Sequence, residues 1–255
     1  MRITGDSRRL SALLSTHFDV VPEIPCVVGS PPYNVGIPNY PSGYEDYVSW
    51  AGYRSAALLW AQSIADVLCP GGRAWINVQP TVPRVAGEPG GDRVNLAGIW
   101  SWALQTVGLK YRDTIVWVQD SFDGACAWGS WAQPTAPNLR GSHEVILLYY
   151  KDRWARPAPP QHKGTRLPRK EEGGDWVDLV RNVWRIPPAN AKGYRGKSLP
   201  AIYPADLPAR AIRLSTWPGE WVLDPWAGHC TTGYAADRLG RESIMVDVGY
   251  APGDT

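Results

Sequence analysis

The apolar run Pro25-Cys26-Val27-Val28-Gly29 ends abruptly at Ser30-Pro31-Pro32-Tyr33. So short an apolar run reads as a buried strand. Two consecutive prolines terminate it, because each lacks a ladder N–H and restricts the residue before it. The strand's end then presents the Ser30 hydroxyl, the Pro31 carbonyl and the Tyr33 ring. Such groups suit a planar ring bearing an amino group. Alone, Pro-Pro after a strand is an ordinary turn, so the rest of the chain has to decide.

Near the other end, Trp221-Val-Leu-Asp224-Pro225-Trp226-Ala227-Gly228-His229-Cys230-Thr231-Thr232 reads as strand, tight turn and helix. Pro225 stops the strand, Gly228 permits a close turn, and Thr231 or Thr232 caps the helix. Backbone donors at such a turn receive nucleotide-like ligands. A further strand ends near Asp247, about twenty residues on, where an acid can take the two hydroxyls of a ribose.

Strands are expected over 2–5, 26–30, 73–79, 113–119, 144–150, 220–224 and 243–247. Helices are expected over 47–68, 94–107, 203–217 and 232–239. Alternation of the two predicts one twisted, mostly parallel sheet of about seven strands with right-handed crossovers. The strand over 144–150 follows its predecessor without a helix, so it is expected to enter antiparallel.

With these pieces in place, the chain resembles the DNA amino-methyltransferases that act on cytosine N4 or adenine N6, in their permuted arrangement. Val28-Gly-Ser-Pro-Pro-Tyr-Asn34 matches the catalytic motif, and Asp224 to Thr232 resembles the cofactor loop. Val67-Leu-Cys-Pro-Gly-Gly-Arg73, the stretches 108–117 and 142–151, Lys197-Ser-Leu-Pro-Ala-Ile-Tyr203 and Gly5-Asp6 resemble further family motifs. The resemblance implies a circularly permuted, Rossmann-like α/β fold and S-adenosyl-L-methionine as cofactor. It assigns Ser30, Pro31, Pro32 and Tyr33 to catalysis. Asp6, Asp224, Pro225, Trp226, Ala227, Gly228, Thr231, Thr232 and Asp247 would hold the cofactor. The implied partner is double-stranded DNA, with a cognate restriction endonuclease as a further partner and the monomer and homodimer both open. Two departures stand out: Cys230 replaces the loop's second glycine, and His229 precedes it. A Cβ at a positive-φ position costs on the order of 1 kcal/mol.

A length of 255 residues suits one methyltransferase domain, and with 44% hydrophobic residues the 24 Pro and 26 Gly indicate turns rather than disorder. There is no apolar run of about eighteen residues and no signal-peptide core, so a cytoplasmic protein is expected. Cys26, Cys69, Cys126 and Cys230 form no C-x-x-C pair, and the four histidines show no metal spacing. Cys26 lies inside its strand, which argues against a covalent nucleophile.

Residues 151–197 carry twelve Lys/Arg against five Asp/Glu, in a chain whose net charge is only +2. This basic insertion joins the two halves and is expected to be an extended, short target-recognition segment. Arg156, Lys163, Arg166, Arg169 and Lys170 are its candidate DNA contacts, through phosphates. Of the 14 Trp, residues 60, 75, 100, 102 and 117 are expected in the core. Trp128 and Trp131 are candidates for the base pocket, and Asn34, Tyr40 and Tyr44 for a flap.

The chemistry follows. A base within a duplex must flip out to be modified, here onto Tyr33. Its amine is a weak nucleophile, which acceptors at Ser30 and Pro31 would make more tetrahedral. No dedicated base is evident. Ser at the first motif position leans towards cytosine N4, with adenine N6 as the alternative. Other readings are a DNA-binding protein that has lost methylation, prompted by His229 and Cys230, and a methylase of RNA or protein.

Overall fold

The computed structural model describes residues 1–37, 46–86, 91–119, 133–135, 137, 139, 141–189 and 203–249. Tyr40, Tyr44, Cys126, Trp128, Trp131 and Lys197 lie outside the described residues.

The described strands are β1 (Arg2–Thr4), β2 (Ile24–Gly29), β3 (Leu68–Val78), β4 (Thr81–Pro83), β5 (Arg93–Asn95), β6 (Lys110–Val118), β7 (His143–Tyr150), β8 (Lys170–Glu171), β9 (Gly174–Asp175), β10 (Val183–Arg185), β11 (Trp221–Asp224) and β12 (Glu242–Asp247). The α-helices are α1 (Leu10–His17), α2 (Trp50–Val67), α3 (Leu96–Thr106), α4 (Trp176–Leu179), α5 (Asp206–Arg213) and α6 (Thr231–Arg238).

Eight strands form one sheet in the order β1-β12-β11-β2-β3-β7-β6-β10. All neighbours are parallel except at β7, which runs antiparallel to β3 and β6. The antiparallel entry is as expected from the missing crossover. The eighth strand, β10, is additional to the seven expected. Its three residues lie in the stretch read as an extended loop, yet Val183, Trp184 and Arg185 pair with Val116, Trp117 and Val118.

Pleating sorts the side chains onto two faces. Val27, Ala74, Ile76 and Leu147 meet α1, α2 and α3 in one core. Cys26, Val28, Trp75, Ile146 and Leu148 meet α5 and α6 in the other. A sheet buried on both faces explains why β2 is apolar at every position. Trp60, Trp75, Trp100 and Trp117 are buried as expected, whereas Trp102 is 39% exposed beneath Arg54. No described helix is long and apolar enough to cross a membrane.

The helix starts have local causes. Ser49 and Asn95 cap α2 and α3 by accepting from the amides of Gly52 and Gly98. By contrast, α6 follows Cys230 at φ 60° with no side-chain cap, so neither Thr231 nor Thr232 is the cap residue. In a sheet of this kind, ligand sites form beyond the carboxyl ends of the parallel strands.

Candidate active site

The carboxyl ends of β1, β12, β11, β2 and β3 share one rim of the sheet. Ser30 follows β2 directly, and its hydroxyl lies 2.9 Å from the Tyr33 hydroxyl and 3.1 Å from the Asn77 carbonyl. The Tyr33 hydroxyl in turn donates to Glu144 Oε2 at 2.9 Å. Asn77 Nδ2 donates to the same oxygen at 2.7 Å, and Gln119 Nε2 to Glu144 Oε1 at 3.2 Å. Burial and the adjacent Glu144 carboxylate push the Tyr33 phenol well above its ordinary range, so it stays protonated. The ring is half-buried against the core. Its hydroxyl is therefore tied inward, which fixes the orientation of the face expected to stack a base.

The turn is braced from behind. Tyr53, on α2, donates to the Pro32 carbonyl at 2.6 Å and itself accepts from the Trp100 indole at 3.0 Å. Asn34 is buried at φ 60° and exchanges two hydrogen bonds with the backbone of Val48. Asp46 accepts from the amides of Asn34 and Ile37, and burial raises its carboxyl above the ordinary value. Asn34 is thus a staple of the turn rather than part of a flap.

On the neighbouring strand, Asp224 is fully buried. Its Oδ1 accepts from the Trp226 amide at 3.0 Å, and its Oδ2 from Thr232 at 2.5 Å and Tyr203 at 2.8 Å. Burial pushes its carboxyl up to about 6. Asp224 and Thr232 therefore serve to hold the loop together. The Trp226 ring packs edge-on to Trp60 and Trp100, at 5.9 and 5.3 Å, so it belongs largely to the core. Pro225 and Ala227 are buried, Thr231 is partly so, and Gly228 and His229 are exposed on the rim. Asp247 accepts from the amides of Gly228 and Gly249 while remaining partly exposed. The Gly5 amide donates to the Asp247 carbonyl, which brings Asp6 to the same rim. Asp6 is held by Arg8, whose side chain and amide lower its carboxyl against the opposing effect of burial.

The Ser30–Tyr33 turn and the Asp224–Thr232 loop approach closely at Gly29. A Cβ at Gly29 would stand 2.5 Å from Asp224 Oδ1 and 3.2 Å from the Trp226 ring. Only glycine allows the two strand ends to approach this closely. Cys26, by contrast, is buried within β2, and desolvation pushes its thiol up to about 12.

The described part of the basic segment, 151–189, is folded rather than extended. A hairpin of β8 and β9, then α4 and β10, occupies it. Arg156 pairs with Glu220 at 2.5 Å, with the two side chains 12% and 13% exposed, and packs on Gly71. Glu220 and Gly71 lie at the amino ends of β11 and β3, the side of the sheet opposite the catalytic turn. His162 stacks on Trp217 there. The buried Arg213 guanidinium donates to the carbonyls of Pro168, Arg169 and Gly174. Lys163, Arg166, Arg169 and Lys170 are exposed, and the backbone near two of them is tied towards that opposite end, through His162 to the Pro218 carbonyl and Arg213 to the Arg169 carbonyl.

Asn77 and Glu144 were missed by the sequence reading. Glu144 is the second residue of β7, after His143 and before an apolar run, and that acid was its signal.

The sequence pattern of the DNA methylase family acting at N6 or N4 matches residues 24–250. The type II methyltransferase M.MjaVI of Methanocaldococcus jannaschii is 30% identical over 169 residues, covering 66% of this chain and 79% of its own. M.SmaI of Serratia marcescens is 26% identical over 283 residues, covering 96% and 85%. Among solved structures, a Thermus thermophilus protein described as a putative DNA modification methylase, complexed with S-adenosyl-L-methionine, aligns with a TM-score of 0.67 at 25% identity. That alignment covers 97% of this chain and 88% of the other. The cytosine-N4-specific PvuII DNA methyltransferase aligns with a TM-score of 0.67 at 19% identity, covering 100% and 87%. With the family pattern spanning the catalytic turn, the sheet and the cofactor loop alike, the chain belongs to the N6/N4 DNA methylases.

Proposed function

We propose that this DNA methyltransferase uses S-adenosyl-L-methionine to methylate the exocyclic N4 of cytosine. The observation that carries the reading is the contact between the Gly29-Ser30 strand end and the Asp224 loop. It sets an amine-binding turn against a nucleotide-binding turn on one rim.

The residues of the rim fit the cofactor. Asp247, partly exposed at the end of β12, has the chemistry to accept a ribose diol. The exposed Gly228 lets a ligand approach the loop backbone. Asp6 would lie at the far side of the same ligand. Asp224, Trp226 and Thr232 would hold the loop in shape, with Pro225, Ala227 and Thr231 forming its wall. S-adenosylmethionine supplies an electrophilic methyl group. Ser30 and the Pro31 carbonyl would accept the amine's protons, Pro32 would fix the turn, and Tyr33 would stack the flipped base. Much of the acceleration would come from positioning.

Ser30 at the first motif position favours cytosine over adenine, and the cytosine-N4 specificity of the PvuII enzyme, a structural neighbour, agrees. DNA from cells expressing the protein, digested to nucleosides and read by mass, is expected to contain N4-methylcytosine. N6-methyladenine would replace the target base, and neither product would favour DNA binding without methylation.

A further inference from the structure

We propose that Ser30, Tyr33 and Glu144 form a proton relay that carries the amine's surplus proton away from the reacting nitrogen. The proposal rests on the methyltransferase reading above and adds a proton acceptor.

The chain of contacts is continuous. The Ser30 hydroxyl lies 2.9 Å from the Tyr33 hydroxyl, which donates to Glu144 Oε2 at 2.9 Å. Each oxygen is a donor to the next and retains lone pairs for the group before it. Glu144 sits at the start of β7, where the antiparallel register sets it beside the carboxyl end of β3. Asn77 and Gln119 each donate to it, so its carboxylate is held facing inward. Among the described residues, Glu144 accepts hydrogen bonds from Tyr33, Asn77 and Gln119, of which Tyr33 carries the ionisable side chain.

The step balances. As the amine nitrogen takes the methyl group, sulfur keeps the electron pair of the broken C–S bond. The nitrogen is left cationic, with one proton too many. That N–H bond breaks and an O–H bond forms at Ser30. The Ser30 proton passes to Tyr33, and the Tyr33 proton to Glu144, which ends as a neutral acid. Neither hydroxyl gains or loses charge overall. Glu144 acts through the two hydroxyls and touches neither base nor cofactor, so it is a positioning residue.

Three variants test this by single-turnover transfer of labelled methyl groups to duplex DNA, across pH. Glu144→Gln keeps the shape and an acceptor for Tyr33, but no basicity. Tyr33→Phe keeps the stacking face and removes the middle link. Each is expected to lower the rate by about 100-fold at neutral pH, the scale of acid–base assistance. Each should also abolish the acid limb of the wild-type pH profile. Affinity for S-adenosylmethionine, by calorimetry, should stay within about threefold. Glu144→Asp should restore part of the rate and the limb. Wild-type rates with an unchanged acid limb in Tyr33→Phe would overturn the relay and leave the methyltransferase reading intact. If Glu144→Gln does not fold, Tyr33→Phe decides alone. A wild-type protein that binds the cofactor but transfers no methyl group to DNA would overturn both.

Discussion

Asp224 carries a carboxyl whose burial is costly. Desolvation outweighs its hydrogen bonds and pushes its carboxyl up to about 6, from an ordinary value of 3.8. Below the ordinary value both folded and unfolded chains hold the neutral acid. As pH rises through about 6 the fold must carry a buried anion, and stability falls by on the order of 3 kcal/mol. Asp224→Asn is expected to flatten that decline, measured as urea unfolding between pH 4 and 7. Cys230 is strained for a different reason: it holds φ 60° at the start of α6. Cys230→Gly should exceed Cys230→Ala in stability by about 1 kcal/mol, since both lose the thiol but only alanine keeps the Cβ. A thermal melt of the pair would check it. The strain at Cys230 was legible in the sequence, because a side chain stands where the family's loop has glycine. The Asn77–Glu144 contact was not. The two residues are far apart in the chain, and they meet only through the register of β3 against β7.

At the scale of elements, what could be read depended on length and isolation. The strands β2, β3, β6, β7, β11 and β12 were legible because each is an apolar run between turn residues. The short β10 was not, since Val-Trp-Arg has no pattern of its own and gains its place by pairing with β6. Helix α1 went unread too, and α5 proved shorter than its expected span of 203–217. β2 and the loop after β11 approach one another closely. A Cβ at Gly29 would meet the Asp224 carboxylate at 2.5 Å. Gly29→Thr is expected to destabilise the fold by about 2 kcal/mol through overpacking, and to weaken cofactor binding by displacing the loop. Gly29→Ala should do the same to a lesser degree. Normal unfolding midpoints and cofactor affinity in both would show that the strand ends part without cost.

Among the described residues, the basic stretch 151–175 and the Ser30–Tyr33 turn lie towards opposite ends of the sheet, while β10 carries Arg185 back to the rim of the turn. The catalytic turn and cofactor loop occupy the carboxyl ends of the parallel strands. The basic segment runs from β7 across the amino ends and along α5 before it returns as β10. Composition showed that this segment is basic but not where it goes, because its path is set by Arg156 on Glu220 and by Arg213 on three backbone carbonyls. On the proposed function, a duplex presenting a flipped base to Ser30 would approach the other rim. Arg166→Ala, Arg169→Ala and Lys170→Ala combined are therefore expected to leave the salt dependence of DNA binding unchanged. Each lost phosphate contact would lower that slope by about 0.9, so a fall of about two or more is readily measured and would mean that the duplex wraps around to α5. Arg156→Ala separates the two roles further. It strands Glu220 in a largely buried position, which should cost about 3 kcal/mol in unfolding free energy with no change in the salt slope. A flattened slope in that variant, without loss of stability, would return Arg156 to the DNA.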